Sequence, residues 1–198
     1  MMIDEKMGQV SFGRSLKDYF RGYVDFLGRS TRAGYWWVQL VLALVWLVLI
    51  GWLTVVVIKA FTVGVAGRGF VSFGVPLVLA AIIFLGTFLP TLALEVRRYR
   101  DAGLRGRGTA VIMILQYAIA MTTGVEQYQQ SAYLLAHMER TMAQAAFPAS
   151  GFSLFLSFAS TAVGLFLFVL TLLPSDTMVT TSQNGFVRFF IRERPIAE

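Results

Sequence analysis

Four apolar runs alternate strictly with arginine-rich and nearly charge-free stretches, and this alternation limits the chain to one kind of fold. The runs span Trp36–Ile58, Val75–Leu94, Thr109–Thr123 and Phe152–Leu173. A bilayer core about 30 Å thick takes roughly 20 helical residues. The first, second and fourth runs meet that length. The third has 15 residues, or about 22 Å at 1.5 Å per residue. It therefore borrows flanking residues, tilts its neighbours or is re-entrant.

Charge decides between these readings better than length. The N-terminal segment carries Lys6, Arg14, Lys17, Arg21, Arg29 and Arg32. The segment after the second run carries Arg97, Arg98, Arg100, Arg105 and Arg107, and the tail carries Arg188, Arg192 and Arg194. The two intervening segments hold only Lys59, Arg68 and Arg140. Fourteen basic residues on one side against three on the other is the asymmetry expected of cytoplasmic and external loops. It predicts four crossings with both termini cytoplasmic. Three crossings would put the tail arginines outside.

The expected architecture is thus an all-α membrane protein with four transmembrane helices and an N-terminal amphipathic interfacial helix. Its segments are a cytoplasmic stretch over 1–35, a four-helix membrane domain over 36–173 and a cytoplasmic tail over 174–198. The chain is 57% hydrophobic and 14% charged, with mean hydropathy +0.67. A net charge of +6 is a nucleic-acid signal only when the basic residues stand apart from membrane spans. Here they flank spans, where orientation and anionic lipid account for them. There is no cysteine, which excludes disulfides, thiolate metal sites and cysteine nucleophiles. The first apolar run starts too late and is too long for a cleavable signal, so it reads as an uncleaved anchor. A bacterial plasma membrane is the expected location.

Between the runs, Ser15–Phe26 has helical periodicity. Leu16, Tyr19, Phe20, Tyr23, Val24 and Leu27 share one face, with Lys17, Asp18, Arg21 and Asp25 on the other. Ser15 and Asp18 have capping-box spacing. Such a helix either lies flat in the headgroup layer or packs on the cytoplasmic ends of the bundle; the pattern allows both. Tyr35, Trp36 and Trp37 then set the depth of the first span. Gly64, Gly67 and Gly69 form a plain turn, since no strand precedes them. Pro90 removes a helical hydrogen bond to Gly86 and predicts a kink there, with Thr87 placed to help satisfy the backbone. Residues 95–103 should continue the second span as helix, with Glu95 paired to Arg98 and Arg97 to Asp101. Over 124–151, an apolar stripe of Leu134, Leu135, Met138, Met142 and Ala145 predicts a surface helix ending at Pro148. His137, the one histidine, sits in it without carboxylate or cysteine neighbours. Small residues Ser153, Ser157, Ser160 and Gly164 allow close helix packing, within the chain or in a homodimer. Asn184-Gly185 signals a hairpin, with a basic-aromatic membrane-surface tail as the rival reading.

The apolar runs hold no acid, lysine, arginine or histidine near their centres. Proton-coupled carriers usually have such a group, so its absence counts against a pump or a proton-coupled transporter. Gln116 and Tyr117 are the most polar side chains there, and interhelical hydrogen bonding is their expected role. No nucleophile–base pair, paired carboxylates or metal-ligand spacing occurs, so no catalytic, cofactor or metal residue is assigned and no cofactor is expected. What remains is an arginine-rich inner face: Arg29, Arg32, Arg97, Arg98, Arg100, Arg105 and Arg107, with Asp101, Glu95 and Asp25 as countercharges. It reads as topology signals with solvated charge, as an ion-pair lattice joining the N-terminal turn to the second loop, or as a binding surface for anionic headgroups.

Two stretches carry a family resemblance. Phe26-Leu27-Gly28-Arg29-Ser30-Thr31-Arg32-Ala33-Gly34-Tyr35-Trp36-Trp37 resembles the Phe-x-Gly-Arg-x-x-Arg-x-x-Tyr-Trp entry to the first span of a bacterial inner-membrane family called domain of unknown function 805. Arg97, Arg98, Asp101 and Gly103 match its Arg-Arg-x-His-Asp-x-Gly loop, with Arg100 in the place of histidine. Arg107 stands near a usual Gly-Trp pair, and Asn184-Gly185-Phe186 echoes a C-terminal Asn-x-Tyr-Gly. The resemblance implies location and architecture, and no mechanism.

The leading expectation is a non-enzymatic membrane component that binds anionic lipid or a membrane-protein partner through the arginine cluster. The alternative is a channel or carrier component for a small solute, with Pro90 as hinge and Gln116 on the path. A third reading is a lipid-modifying enzyme using Asp101. Nucleic acid is not an expected partner.

Overall fold

The computed structural model describes residues 3–5, 10–63, 69–136 and 151–194. His137, the loop over 64–68 and most of the expected surface helix after Ala136 lie outside the described residues. Among the described residues the elements are all helical: α1 Phe12–Arg21, α2 Arg32–Val63, α3 Gly69–Ala102, α4 Gly106–Ala136, α5 Gly151–Leu172 and α6 Gly185–Phe190. Four of them, α2 to α5, are long and apolar enough to cross a membrane. At 1.5 Å per residue even α5, with 22 residues, reaches about 33 Å.

The third apolar run is not short as a helix. It lies within α4, which has 31 residues. Hydropathy marks where apolar side chains stop, whereas backbone hydrogen bonding runs on through Glu126, Gln127 and Gln129. The long helices leave leucines, valines and phenylalanines exposed along their length; Leu47 is 68% and Phe158 74% accessible. Surfaces this apolar do not persist in water but suit hydrocarbon, where a helix satisfies its own backbone. The chain is a multi-pass membrane protein.

By contacts the chain forms two compact units. One holds Met1–Gly103 with Pro174–Thr177, the other Leu104–Leu173 with Met178–Glu198. In the first unit, α2 packs against α3 and α1 packs against both. Their shared core is Tyr19, Tyr35, Val38 and Leu94, with Leu16 and Leu42 against it. Helix α1 differs from the periodicity reading. It begins at Phe12 after Ser11 and stops at Arg21, where the Gly22 N–H bonds back to the Asp18 carbonyl at 2.9 Å. Ser15 is not its cap: it lies inside the helix, and its hydroxyl donates to the Ser11 carbonyl at 3.0 Å.

Helix α3 contains Pro76 and Pro90. Proline at 90 has no N–H, so the Gly86 carbonyl loses its helical donor. The Tyr23 hydroxyl takes that place at 3.1 Å. Tyr19, one turn earlier, bonds to Thr91 Oγ1 at 2.9 Å and donates to the Thr87 carbonyl at 3.2 Å. The expected helper, Thr87, instead donates to Ile83 O at 2.7 Å.

In the second unit, α4 packs on α5, and α6 packs on α4. Gln116 Nε2 and Ser160 Oγ meet at 3.2 Å, the interhelical bond expected of Gln116. The tail does not form the expected hairpin. Asn184 caps α6, its side-chain oxygen accepting from the Phe186 N–H at 2.9 Å. An asparagine before glycine suits an N-cap as well as a turn, and the chain after it packs on α4 rather than on a second strand.

Candidate functional site

The arginines divide between the two units, and each group has its own chemistry. In the first unit the two motif stretches meet at the C-terminal end of α3. Arg97 and Arg98 are 1% and 0% exposed, and Asp101 is 3% exposed. Charges this deeply placed need partners. Arg98 pairs with the Asp101 carboxylate and donates to the Ser30 carbonyl at 3.3 Å. Ser30 returns the contact, its N–H donating to the Arg97 carbonyl at 3.3 Å. The Arg97 Nε donates to Ala93 O at 3.3 Å. Guanidinium groups in the last turns of a helix also oppose the negative end of its dipole.

The pairing is not the one expected from spacing alone. Asp101 takes Arg98, three residues back, rather than Arg97. The same Asp101 oxygen accepts from Ser175 Oγ at 2.7 Å, and the Asp101 carbonyl accepts from Asp176 N at 2.8 Å. The segment Pro174–Thr177 is thereby held on the end of α3. Arg29 closes the circuit, 3.6 Å from the Asp176 carboxylate. Gly103 ends α3 with φ 122°, a conformation that L side chains rarely adopt.

Two acids complete this end, and one of them gave no sequence signal. Glu5 is buried. Its Oε2 accepts from Thr31 N at 2.8 Å, Thr31 Oγ1 at 3.0 Å and Ser30 Oγ at 3.1 Å. Thr31 Oγ1 in turn accepts from Gly34 N at 3.2 Å. A carboxylate and a threonine thus cap the N-terminus of α2, where negative charge is favoured. Burial pushes the Glu5 carboxyl above its ordinary value; the Thr31 and Ser30 hydrogen bonds and nearby Arg97 offset only part of the rise. Asp25 goes the other way. Burial would raise it too, but the N–H groups of Ile3, Leu27 and Gly28, together with Arg97, hold it below the usual range. Its contact to Ile3 N is 2.6 Å. Residues 3–5 lie along Arg29, with Arg29 N to Ile3 O at 2.9 Å and Glu5 N to Arg29 O at 3.2 Å. A Cβ at Gly34 would overlap the Glu5 carboxylate.

Arg32 is exposed, Arg29 and Arg100 are half-buried. Lys17 and Arg21 are exposed in this unit as Arg32 is, and so are Phe20, Val24, Leu27, Trp36 and Trp37. In the second unit, Arg105 Nη2 is 3.0 Å and Arg188 Nε 2.5 Å from the same Glu193 oxygen. Arg107 is exposed, its guanidinium 5.3 Å from the centroid of Phe189. Among the described residues no three His, Asp or Glu side chains gather as a metal site would require.

The structure therefore brings Arg29, Arg97, Arg98 and Asp101 into one hydrogen-bonded cluster and leaves Arg32 outside it. Arg105 and Arg107 belong to a separate cluster with the tail. Glu5, Ser175 and Asp176 were missed because nothing in their local sequence marks them as partners of residues far along the chain.

No curated protein and no solved structure matches this chain. One family model does, over residues 23–180, a range that takes in both arginine motifs and the segment held by Asp101. The chain belongs to the family described as "Protein of unknown function (DUF805)".

Proposed function

We propose that this protein is a non-enzymatic membrane component that binds anionic lipid headgroups at its cytoplasmic face, in a bacterial plasma membrane, with both termini inside. One observation carries the reading. In the first unit, Lys17, Arg21 and Arg32 are exposed, and so are Phe20, Val24 and Leu27, their near neighbours along the chain, a mixture of basic and apolar side chains suited to an anionic leaflet. Helix α1 would lie in the headgroup layer while its Tyr19 face stays on the bundle. The buried pair Arg97 and Arg98 serves a different end, since their partners are protein groups. They hold α2 and α3 in place so that the outer arginines keep their positions. Each basic residue near an anionic surface contributes about 1 kcal/mol, so three such groups make a measurable preference.

The test is reconstitution in nanodiscs of mixed phosphatidylglycerol and phosphatidylcholine, followed by analysis of the lipid retained on extraction. Wild type should keep phosphatidylglycerol in excess of its share. A Lys17→Gln, Arg21→Gln, Arg32→Gln variant should lose that excess while remaining folded. Equal retention by both proteins would reject the reading.

A further inference from the structure

The C-terminal tail forms a surface that the first unit does not account for. Its backbone is closed on itself and pinned to α4. Thr180 N donates to Arg192 O and Arg194 N to Thr180 O, each at 2.9 Å, and Arg105 N donates to Phe190 O at 2.8 Å. Phe190 sits so close to Gly108 that a Cβ there would lie 2.6 Å from the Phe190 Cα. Gly106 also begins the part of α4 that is long and apolar enough to cross a membrane. Helix α6 is therefore fixed beside the end of that apolar helix.

From that base an apolar column runs outward. The Phe190 ring packs against Phe186 at 5.2 Å between centroids, tilted by 56°, and Phe186 is 74% exposed. Phe189 lies against Phe190 at 5.0 Å and beneath Arg107. The same stretch of chain carries Arg105, Arg107, Arg188, Arg192 and Arg194 against one acid in residues 104–108 and 178–194, Glu193, which Arg105 and Arg188 share. An exposed phenylalanine pinned at the mouth of a span, in strongly positive surroundings, has the chemistry of the acyl–headgroup boundary of an anionic leaflet.

We propose that the tail is a second membrane anchor, with Phe186 immersed in the leaflet that borders the start of α4 and Arg107, Arg188 and Arg194 among its anionic headgroups. The anchor rests on the lipid-binding reading for the charge of that leaflet, but it uses none of the residues that reading depends on.

The chain has no cysteine, so single nitroxide labels can be placed without background. The full chain carrying Phe186→Cys or, as a control, Gln183→Cys is reconstituted in vesicles of phosphatidylglycerol with phosphatidylcholine, and in phosphatidylcholine alone. Both positions are exposed, so neither label has to enter a buried core, and the apolar label at 186 stands where the Phe186 ring does. Collision with oxygen against a water-soluble nickel chelate reads depth. With phosphatidylglycerol, position 186 should favour oxygen several-fold over position 183, and the difference should shrink without it. Adding Arg188→Gln and Arg194→Gln should also shrink it. A label at 186 open to nickel in anionic vesicles overturns the anchor. So does one shielded from both reagents, which means that a second copy or another protein covers the face. Immersion that ignores lipid charge overturns it as well. Loss of retention in the Lys17, Arg21 and Arg32 variant is read separately, so either result can fail alone.

Discussion

The Tyr23 hydroxyl donates to the Gly86 carbonyl at 3.1 Å, occupying the acceptor that Pro90 leaves free four residues on. A side chain outside the helix thus completes the helix's own hydrogen bonding, and the same bond docks the segment after α1 on α3. A net hydrogen bond of this kind is worth about 1 kcal/mol. Tyr23→Phe should therefore destabilise the protein by about that amount. In a Pro90→Ala background the alanine restores a backbone N–H that can reach the Gly86 carbonyl, and Tyr23→Phe should cost much less. A double-mutant cycle on detergent-solubilised protein, read by thermal unfolding, measures the coupling. Equal cost in both backgrounds would remove the link between Tyr23 and Pro90.

The buried pair Arg98 and Asp101 makes a sharper prediction. Removing one partner strands the other charge, at about 3–5 kcal/mol. Arg98→Met and Asp101→Leu should each collapse the yield of monodisperse protein in size-exclusion chromatography. The double substitution should recover much of it, because no uncompensated charge remains. Ser175→Ala removes one neutral donor to Asp101 and should cost about 1 kcal/mol.

Glu5 and Asp25 should shape stability against pH in opposite directions. Glu5 has its carboxyl raised in the folded state, chiefly by burial. The folded protein then binds more protons than the unfolded chain, so this contribution is present in acid and is lost as pH rises through the folded value. Asp25 is lowered by its three backbone N–H donors and Arg97, against its burial. Its contribution is present above the ordinary carboxylate range and is lost as pH falls through the lowered value. Unfolding temperature measured from mild acid to neutrality should show wild type gaining on Glu5→Gln as pH falls. Over the acid range it should show wild type losing ground to Asp25→Asn. Parallel curves would deny both groups a perturbed environment.

How far the sequence foretold this arrangement depends on the range of the interaction. The spans follow from composition, because hydrocarbon admits few side chains and no open backbone. The meeting of Arg29-Ser30 with Arg97-Arg98 was one of three open readings of the arginine-rich face. Its bonds run through the Ser30 backbone, which no side-chain pattern reports. Glu5 lies 26 residues from Thr31, with no periodicity between them, so its role as the cap of α2 was not legible. The Asn184-Gly185 signal fits a hairpin and a helix cap alike, and the packing of Phe190 on Gly108 decides between them. At α4, borrowing of flanking residues was one of three open readings of the short apolar run, and α4 follows it, because a helix does not end where its side chains turn polar.

Gly34 offers a test of the Glu5 cap through the space that the carboxylate fills. A methyl group there would displace the carboxylate, breaking its three hydrogen bonds to Ser30 and Thr31. Gly34→Ala alone should therefore destabilise the protein, although alanine favours helix over glycine by about 1 kcal/mol. With Glu5→Ala the obstacle is gone, and the same Gly34→Ala change should turn neutral or stabilising. Both single variants and the double variant, compared by thermal unfolding, give the sign. If Gly34→Ala costs as much without the Glu5 side chain as with it, Glu5 does not fill the space over the first turn of α2, and its assignment as the cap fails.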